Sequence, residues 1–173
     1  QKLIKDIPRP GSGKAQSQSF QAVLIPDSAS NAGMIATYLA YYNLKGIRLF
    51  GPTLWDTPEF IKAGGSSIED AIFVSGYYAN SQLEHVKDFN YDFNTIFGYR
   101  PSVWEANACD SATILQNLIG ISRPSRAVLQ SQLGSIQEHP GLTGATTFNK
   151  NGSVRKSLYV LSVRNSSIVE IVP

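Results

Sequence analysis

Few residues of this chain are arranged for covalent or metal chemistry. Cys109 stands alone, so neither an internal disulfide nor a multi-cysteine metal site can form. His85 and His139 lie far apart in unrelated contexts. No serine or cysteine occupies a nucleophile elbow, and no metal-ligand spacing occurs. Gly11-Ser12-Gly13-Lys14 imitates a phosphate loop, but that motif needs a glycine where Pro8 stands and a Ser or Thr where Ala15 stands. The groups best suited to holding a ligand are Asp27, Ser28, Thr53, Trp55 and Tyr77. The first three offer hydrogen bonds, and the two aromatic residues offer stacking or shape. Each also has an ordinary role. Asp27 and Ser28 can cap a following helix. Trp55 can be a packing residue. Tyr77 and Tyr78 are adjacent, so on a strand end they point to opposite sides and at most one faces a ligand. This is the chemistry of binding rather than catalysis, and no cofactor is expected.

The elements around these residues place them at strand ends. Phe20–Ile25 is an apolar run stopped by Pro26, and apolar groups on both of its faces predict a buried parallel strand. Ser28 or Ser30 caps a helix over 31–43, with Met34, Ile35, Tyr38, Leu39 and Tyr42 as its apolar stripe. Ile47–Phe50 is a second strand stopped by Gly51-Pro52. Thr57-Pro58-Glu59 opens a short helix, with Thr57 as cap. Ala71–Val74 is a third strand, and crossovers this short favour parallel pairing. In open parallel sheets, ligands bind beyond the carboxyl ends of the strands. Asp27-Ser28, Thr53-Leu54-Trp55 and Tyr77-Tyr78 all fall at such ends.

From Ser81 the pattern becomes helix after helix. Residues 82–97 carry the stripe Leu83, Val86, Phe89, Phe93 and Phe97, ended by Gly98. Residues 102–119 form a long helix with Val103, Ala106, Ala108, Cys109, Ala112, Leu115 and Ile119 as buried positions. Asp110 on that helix either holds a neighbouring loop's amides or lies on a solvated face. Residues 125–136 give a third helix with Val128, Leu129 and Leu133 inside. Thr146–Phe148, Ser157–Val163 and Ile168–Val172 are strands. Asn151-Gly152 and Asn165-Ser166 supply turns.

The chain has 173 residues, 42% hydrophobic and 16% charged, with a formal net charge of +2. That suits a folded domain with one good core or two small lobes. The basic residues are scattered, so no nucleic-acid partner is expected. No apolar stretch approaches the roughly 18 residues of a membrane span. The first residue is Gln1, which is read as a processed, trimmed or cut start from which any signal peptide is gone.

Taken in order, several of these stretches resemble the C-terminal part of type I periplasmic ligand-binding proteins. This is the branched-chain amino-acid receptor family, with its relatives that activate penicillin-binding proteins. The resemblance runs over about residues 20–172. It is carried by Phe20–Asp27 with its following helix, by Leu49-Phe50-Gly51 with Thr57-Pro58-Glu59, and by Phe89 to Phe97-Gly98-Tyr99-Arg100-Pro101. Ala108-Cys109-Asp110-Ser111-Ala112 and Gly141-Leu142-Thr143-Gly144 with Phe148 and Gly152 complete it. Cys109 stands where the family usually has tyrosine.

The implied fold is α/β: an incomplete three-layer, parallel-sheet lobe of the type I fold with a C-terminal β-hairpin. The implied parts are a poorly ordered segment 1–19, a second-lobe βαβαβ segment 20–78, a helical first-lobe segment 79–143, and a β-segment 144–173 returning to the second lobe. The implied function is a non-enzymatic, extracytoplasmic or periplasmic receptor, with a lipid anchor on a missing N-terminus as one option. It binds a small polar metabolite such as an amino acid for an ABC-type transporter. The alternative is a protein-interaction module that regulates cell-wall synthesis, with a synthase as partner. The family's first half is absent from this sequence. The helices of 82–136 therefore lack the sheet that relatives bury them against, and large exposed apolar faces mark interaction surfaces or instability. The expected partner for them is a missing N-terminal half or a second copy, including by domain exchange.

Overall fold

Residues 20–44, 46–120 and 124–171 are described by a computed structural model. The phosphate-loop-like Gly11–Lys14 and the expected loose segment 1–19 lie outside the described residues. The described chain divides into two units, one of residues 1–75 with 160–173 and one of residues 76–159.

The first unit opens with strand–helix–strand–helix–strand. β1 (Ala22–Leu24), β2 (Arg48–Gly51) and β3 (Ile72–Ser75) run parallel, with Val23 opposite Leu49 and Phe50 opposite Ile72. The helices between them are α1 (Ala29–Tyr41) and α2 (Pro58–Gly64). β6 (Tyr159–Arg164) and β7 (Ser167–Glu170) complete a sheet of order β1-β2-β3-β6-β7. β6 and β7 form an antiparallel hairpin, as the sequence predicts. Its turn residues Asn165 and Ser166 both have positive φ, 50° and 58°. Two successive left-handed residues match the twist of the flanking strands.

The core of this unit is aromatic. Trp55 and Phe60 stack at 4.5 Å, and Phe73 meets Phe60 edge-on at 5.8 Å. Leu161 and Val163 are fully buried as well.

Three sequence expectations fail in this unit. Among the described residues β1 is an edge strand rather than a buried one, and Leu24 is 69% exposed. Apolar residues on both faces do not distinguish an edge from a centre, because only pairing decides it. On α1 the buried face is Ala29, Ala32, Gly33 and Ala36, whereas Met34, Ile35 and Tyr38 are exposed. The reason is a close helix crossing. A Cβ on Gly33 would lie 2.5 Å from Ala63 Cβ and 2.7 Å from the Gly64 nitrogen, so only a small-residue face fits there. Thr57 has the extended backbone of a cap, but its hydroxyl makes no capping bond. That oxygen is buried without a partner among the described residues.

The second unit is built on helices α3 (Glu84–Phe97), α4 (Val103–Ile119) and α5 (Arg126–Leu133), with a small antiparallel pair, β4 (Thr146–Phe148) and β5 (Val154–Lys156). The expected segment 144–173 is thus shared between the units. Local signals act as read: Gly98 ends α3 in the left-handed conformation at φ 77°. Ser102 and Glu105 form a capping box at the start of α4. Tyr77, Val86, Ala106 and Leu142 make the core, with Phe89, Val103 and Cys109 packed around it.

Asp110 resolves to the first of its two readings. It is buried, and its carboxylate accepts the Leu142 N–H at 2.7 Å, the Thr143 N–H at 2.9 Å and the Thr143 hydroxyl at 2.6 Å. Lys156 Nζ lies 3.8 Å away and donates to Asn107 Oδ1 and Thr143 Oγ1. The helix acid therefore pins the Gly141–Gly144 loop. Gly141 is required there, since a Cβ would sit 2.7 Å from a carboxylate oxygen.

The apolar stripes of this unit are only half covered. On α4, Ala106, Asp110 and Ile114 are buried, but Ala108, Ala112, Leu115 and Ile119, expected inside, are exposed. With Trp104, 78% exposed, they form a second stripe at three- and four-residue spacing. Phe97 at the end of the α3 stripe, Leu83 at its start and Val128 on α5 are exposed too. Helices normally bury such a face against a second layer.

Candidate binding site

Because β1, β2 and β3 are parallel, their carboxyl ends share one edge of the first unit. The residues leaving that edge are Asp27-Ser28 after β1, Thr53–Asp56 after β2, and Ser75 at the end of β3. Four of the five expected ligand residues, Asp27, Ser28, Thr53 and Trp55, are brought together here.

Each has a measurable local commitment. Ser28 caps α1, with Oγ accepting the Asn31 N–H at 3.4 Å. Asp27 Oδ1 accepts the Ser28 N–H at 2.6 Å and the Asn31 amide at 2.9 Å. These bonds, that to the Asn31 side chain foremost, hold its carboxyl below the usual range. Asp27 and Ser28 stay exposed, so capping leaves room for a second role. Thr53 is exposed at the head of a single 3-10 turn, Thr53–Trp55. Trp55 is fully buried. Its indole N–H donates to the Asp27 carbonyl at 3.1 Å, which ties the β2–α2 loop to the β1–α1 loop. The indole thus shapes the edge from beneath, as the packing alternative has it.

Tyr77 belongs to the second unit and is 4% exposed. Its hydroxyl donates to Asn90 Oδ1 at 2.7 Å, and the Asn90 amide in turn donates to the Ala79 and Val86 carbonyls. Burial above all pushes its pKa up to about 12. Tyr78 is buried as well.

The sequence reading passed over Asp56 and Ser75. Ser75 is 2% exposed and donates to Asp56 Oδ2 at 2.8 Å. Asp56 is half-buried, and loss of water raises its pKa, against the opposing pull of the Ser75 hydrogen bond. An acid directly after Trp55 in a strand-end loop was a visible signal. Its burial and its serine partner, 19 residues on, were not. Among the described residues no cluster of His, Cys, Asp and Glu could hold a metal ion, and no helix is long and apolar enough to cross a membrane.

No protein-family model and no curated protein matches this sequence. Solved structures do match its fold. A protein from Rhodospirillum rubrum described as a branched-chain amino acid ABC transporter aligns with a TM-score of 0.82 at 22% identity, over 89% of this chain and 45% of its own. The fold is a partial type I periplasmic-binding-protein fold. A leucine binding protein from Thermotoga maritima aligns with a TM-score of 0.65 at 21% identity, over 88% of this chain and 44% of its own. A branched-chain amino acid transporter substrate binding protein from Streptococcus pneumoniae, in complex with isoleucine, aligns with a TM-score of 0.60 at 19% identity, over 90% and 46%. The chain thus spans a little under half the length of these structures. Within the type I fold, the strand-end edge described above is a carboxyl edge of the kind where open α/β sheets place ligands.

Proposed function

We propose that this chain is part of a non-catalytic, extracytoplasmic solute-binding receptor. It takes a small polar metabolite, such as an amino acid, for an ABC-type transporter. The observation that carries the reading is a type I fold whose parallel-strand edge presents Asp27, Ser28 and Thr53 to solvent. The names of the similar structures support solute binding over catalysis. In such a receptor, 20–78 supplies one lobe's strand-end wall and the helices supply part of the other lobe. A thermal-shift series with amino acids and small organic acids tests it. A true ligand at 100 times its Kd adds about 2.7 kcal/mol of stability, a plain rise in melting temperature. No shift with any of them would favour the alternative, a protein-interaction module acting on cell-wall synthesis.

The partner that completes the receptor is the part of the fold this chain does not span, or a second copy standing in for it. The exposed stripe of Trp104, Ala108, Ala112, Leu115 and Ile119 supports this. Light scattering of the isolated chain should give a mass above one chain, or association that dilution reverses. A well-behaved monomer with intact helices would contradict the proposal.

A further inference from the structure

We propose that Asn151 is a self-modification site: the Gly152 backbone nitrogen closes on the Asn151 side chain, which ends as aspartate or isoaspartate. The inference is independent of the receptor reading. No other asparagine of the chain precedes a glycine, and each is followed by a residue whose Cβ crowds the attacking nitrogen. Gly152 has a φ of 84° in the turn between β4 and β5, and a Cβ built there would meet nothing within 4 Å. Asn151, Gly152 and Ser153 are all exposed. The turn therefore has the open space that ring closure needs.

The hydrogen bonds of the turn prepare the carbon that is attacked. Asn151 Oδ1 accepts the Ser153 N–H at 3.0 Å and the Ser153 hydroxyl at 2.8 Å. Asn149 Nδ2 donates to Ser153 Oγ at 2.9 Å, which makes that hydroxyl a stronger donor. Both donors on Oδ1 stand where negative charge develops when Cγ is attacked, so they stabilise the tetrahedral intermediate. The nucleophile is restrained by one bond, from the Gly152 N–H to the Asn149 carbonyl at 2.9 Å. An exposed turn between two strands of three residues each opens locally at small cost. β4 is held on its other side, by the Phe148 N–H on the Ile136 carbonyl and by the His139–Thr146 bridge, so the opening stays in the turn.

The chemistry needs only water. Hydroxide takes the Gly152 amide proton, and the nitrogen forms a bond to Asn151 Cγ. The Cγ–Nδ2 bond breaks, and the leaving nitrogen takes a proton from water and departs as ammonia. Water then opens the cyclic imide. Attack at Cγ gives aspartate, and attack at the main-chain carbonyl gives isoaspartate. Aspartate keeps an acceptor for Ser153. Isoaspartate inserts a methylene into the main chain between Phe148 and Val154, which pair in register. Either product lowers the formal net charge of +2 by one.

The test follows the whole folded chain over time at several pH values, beside the same chain unfolded in urea. Peptide mapping by mass spectrometry and isoaspartyl methyltransferase labelling locate the products. In the folded chain, Asn151 should convert ahead of every other asparagine, including Asn165 in the β6–β7 turn, at a rate that rises with pH. Ser153→Ala should slow conversion in the folded chain several-fold. Asn151→Asp should keep the melting temperature of wild type, because the acceptor for Ser153 remains, and should yield no ammonia from this turn. Conversion in urea but not in the folded chain would overturn the proposal, since the hairpin would then protect the site. Earlier conversion at any other asparagine of the folded chain would overturn it too. An unchanged rate in a folded Ser153→Ala chain would overturn the part given to the hydroxyl.

Discussion

Replacing Asp110 with alanine is expected to cost about 3–5 kcal/mol, a large part of the roughly 5–15 kcal/mol that holds an ordinary domain folded. The substitution leaves the Leu142 and Thr143 amides and the Thr143 hydroxyl without their acceptor in a buried loop. Each orphaned buried donor costs about 1–3 kcal/mol. Lys156 would lose its carboxylate too, but its side chain is 29% exposed and can turn toward water, so the amides dominate. Asp110→Asn should recover little. Both carboxylate oxygens face donors, and the asparagine NH2 would set a donor against a donor. An aspartate on a solvated helix face would tolerate asparagine with almost no change, so the pair of variants separates the two readings. Urea unfolding gives the size of the effect. Amide hydrogen exchange should show protection lost first at Leu142 and Thr143, before the strands of the other unit are touched.

Trp55→Ala should cost about 3–5 kcal/mol in the first unit, the usual range for removing a large buried aromatic side chain. The indole is fully buried, stacks on Phe60 at 4.5 Å and lies 6.1 Å from Phe73. Its N–H holds the Asp27 carbonyl, so the same change should loosen the β1–α1 loop and weaken any solute bound at the strand ends. Trp55→Phe keeps most of the packing and loses the hydrogen bond, a deficit nearer 1 kcal/mol for that bond. The chain has two tryptophans, and Trp104 is 78% exposed, so Trp55→Ala should remove the blue-shifted part of the fluorescence. Gly51 gives an internal check. A Cβ there would lie 2.2 Å from the Trp55 ring, so Gly51→Ala should be severe in wild type and mild in the Trp55→Ala background. Equal costs in both backgrounds would mean that the ring and the glycine are not in contact in solution.

The sequence by itself determined most of the elements and their type, though it has no strand at β5, and the strand it expects over Ser157–Val163 is β6, Tyr159–Arg164. Apolar runs stopped by Pro26 and Gly51-Pro52, the capping site at Ser28 and the terminator Gly98 are local signals. They act through a few neighbouring residues and read the same in any context. The order of those elements was also enough to carry the resemblance to the type I fold. What tertiary structure alone decided was which face each element buries. Met34, Ile35 and Tyr38 look like a core stripe, yet α1 packs through Ala29, Ala32, Gly33 and Ala36, because Gly33 sits against the backbone of α2. Ala108, Ala112, Leu115 and Ile119 have the spacing of buried residues and are exposed. Hydrophobic periodicity states that a face should be covered but not what covers it. The roles of Asp110 and Asp56 were hidden for a related reason. A carboxylate's chemistry depends on the donors and water around it, and those donors come from residues 32 and 19 positions away.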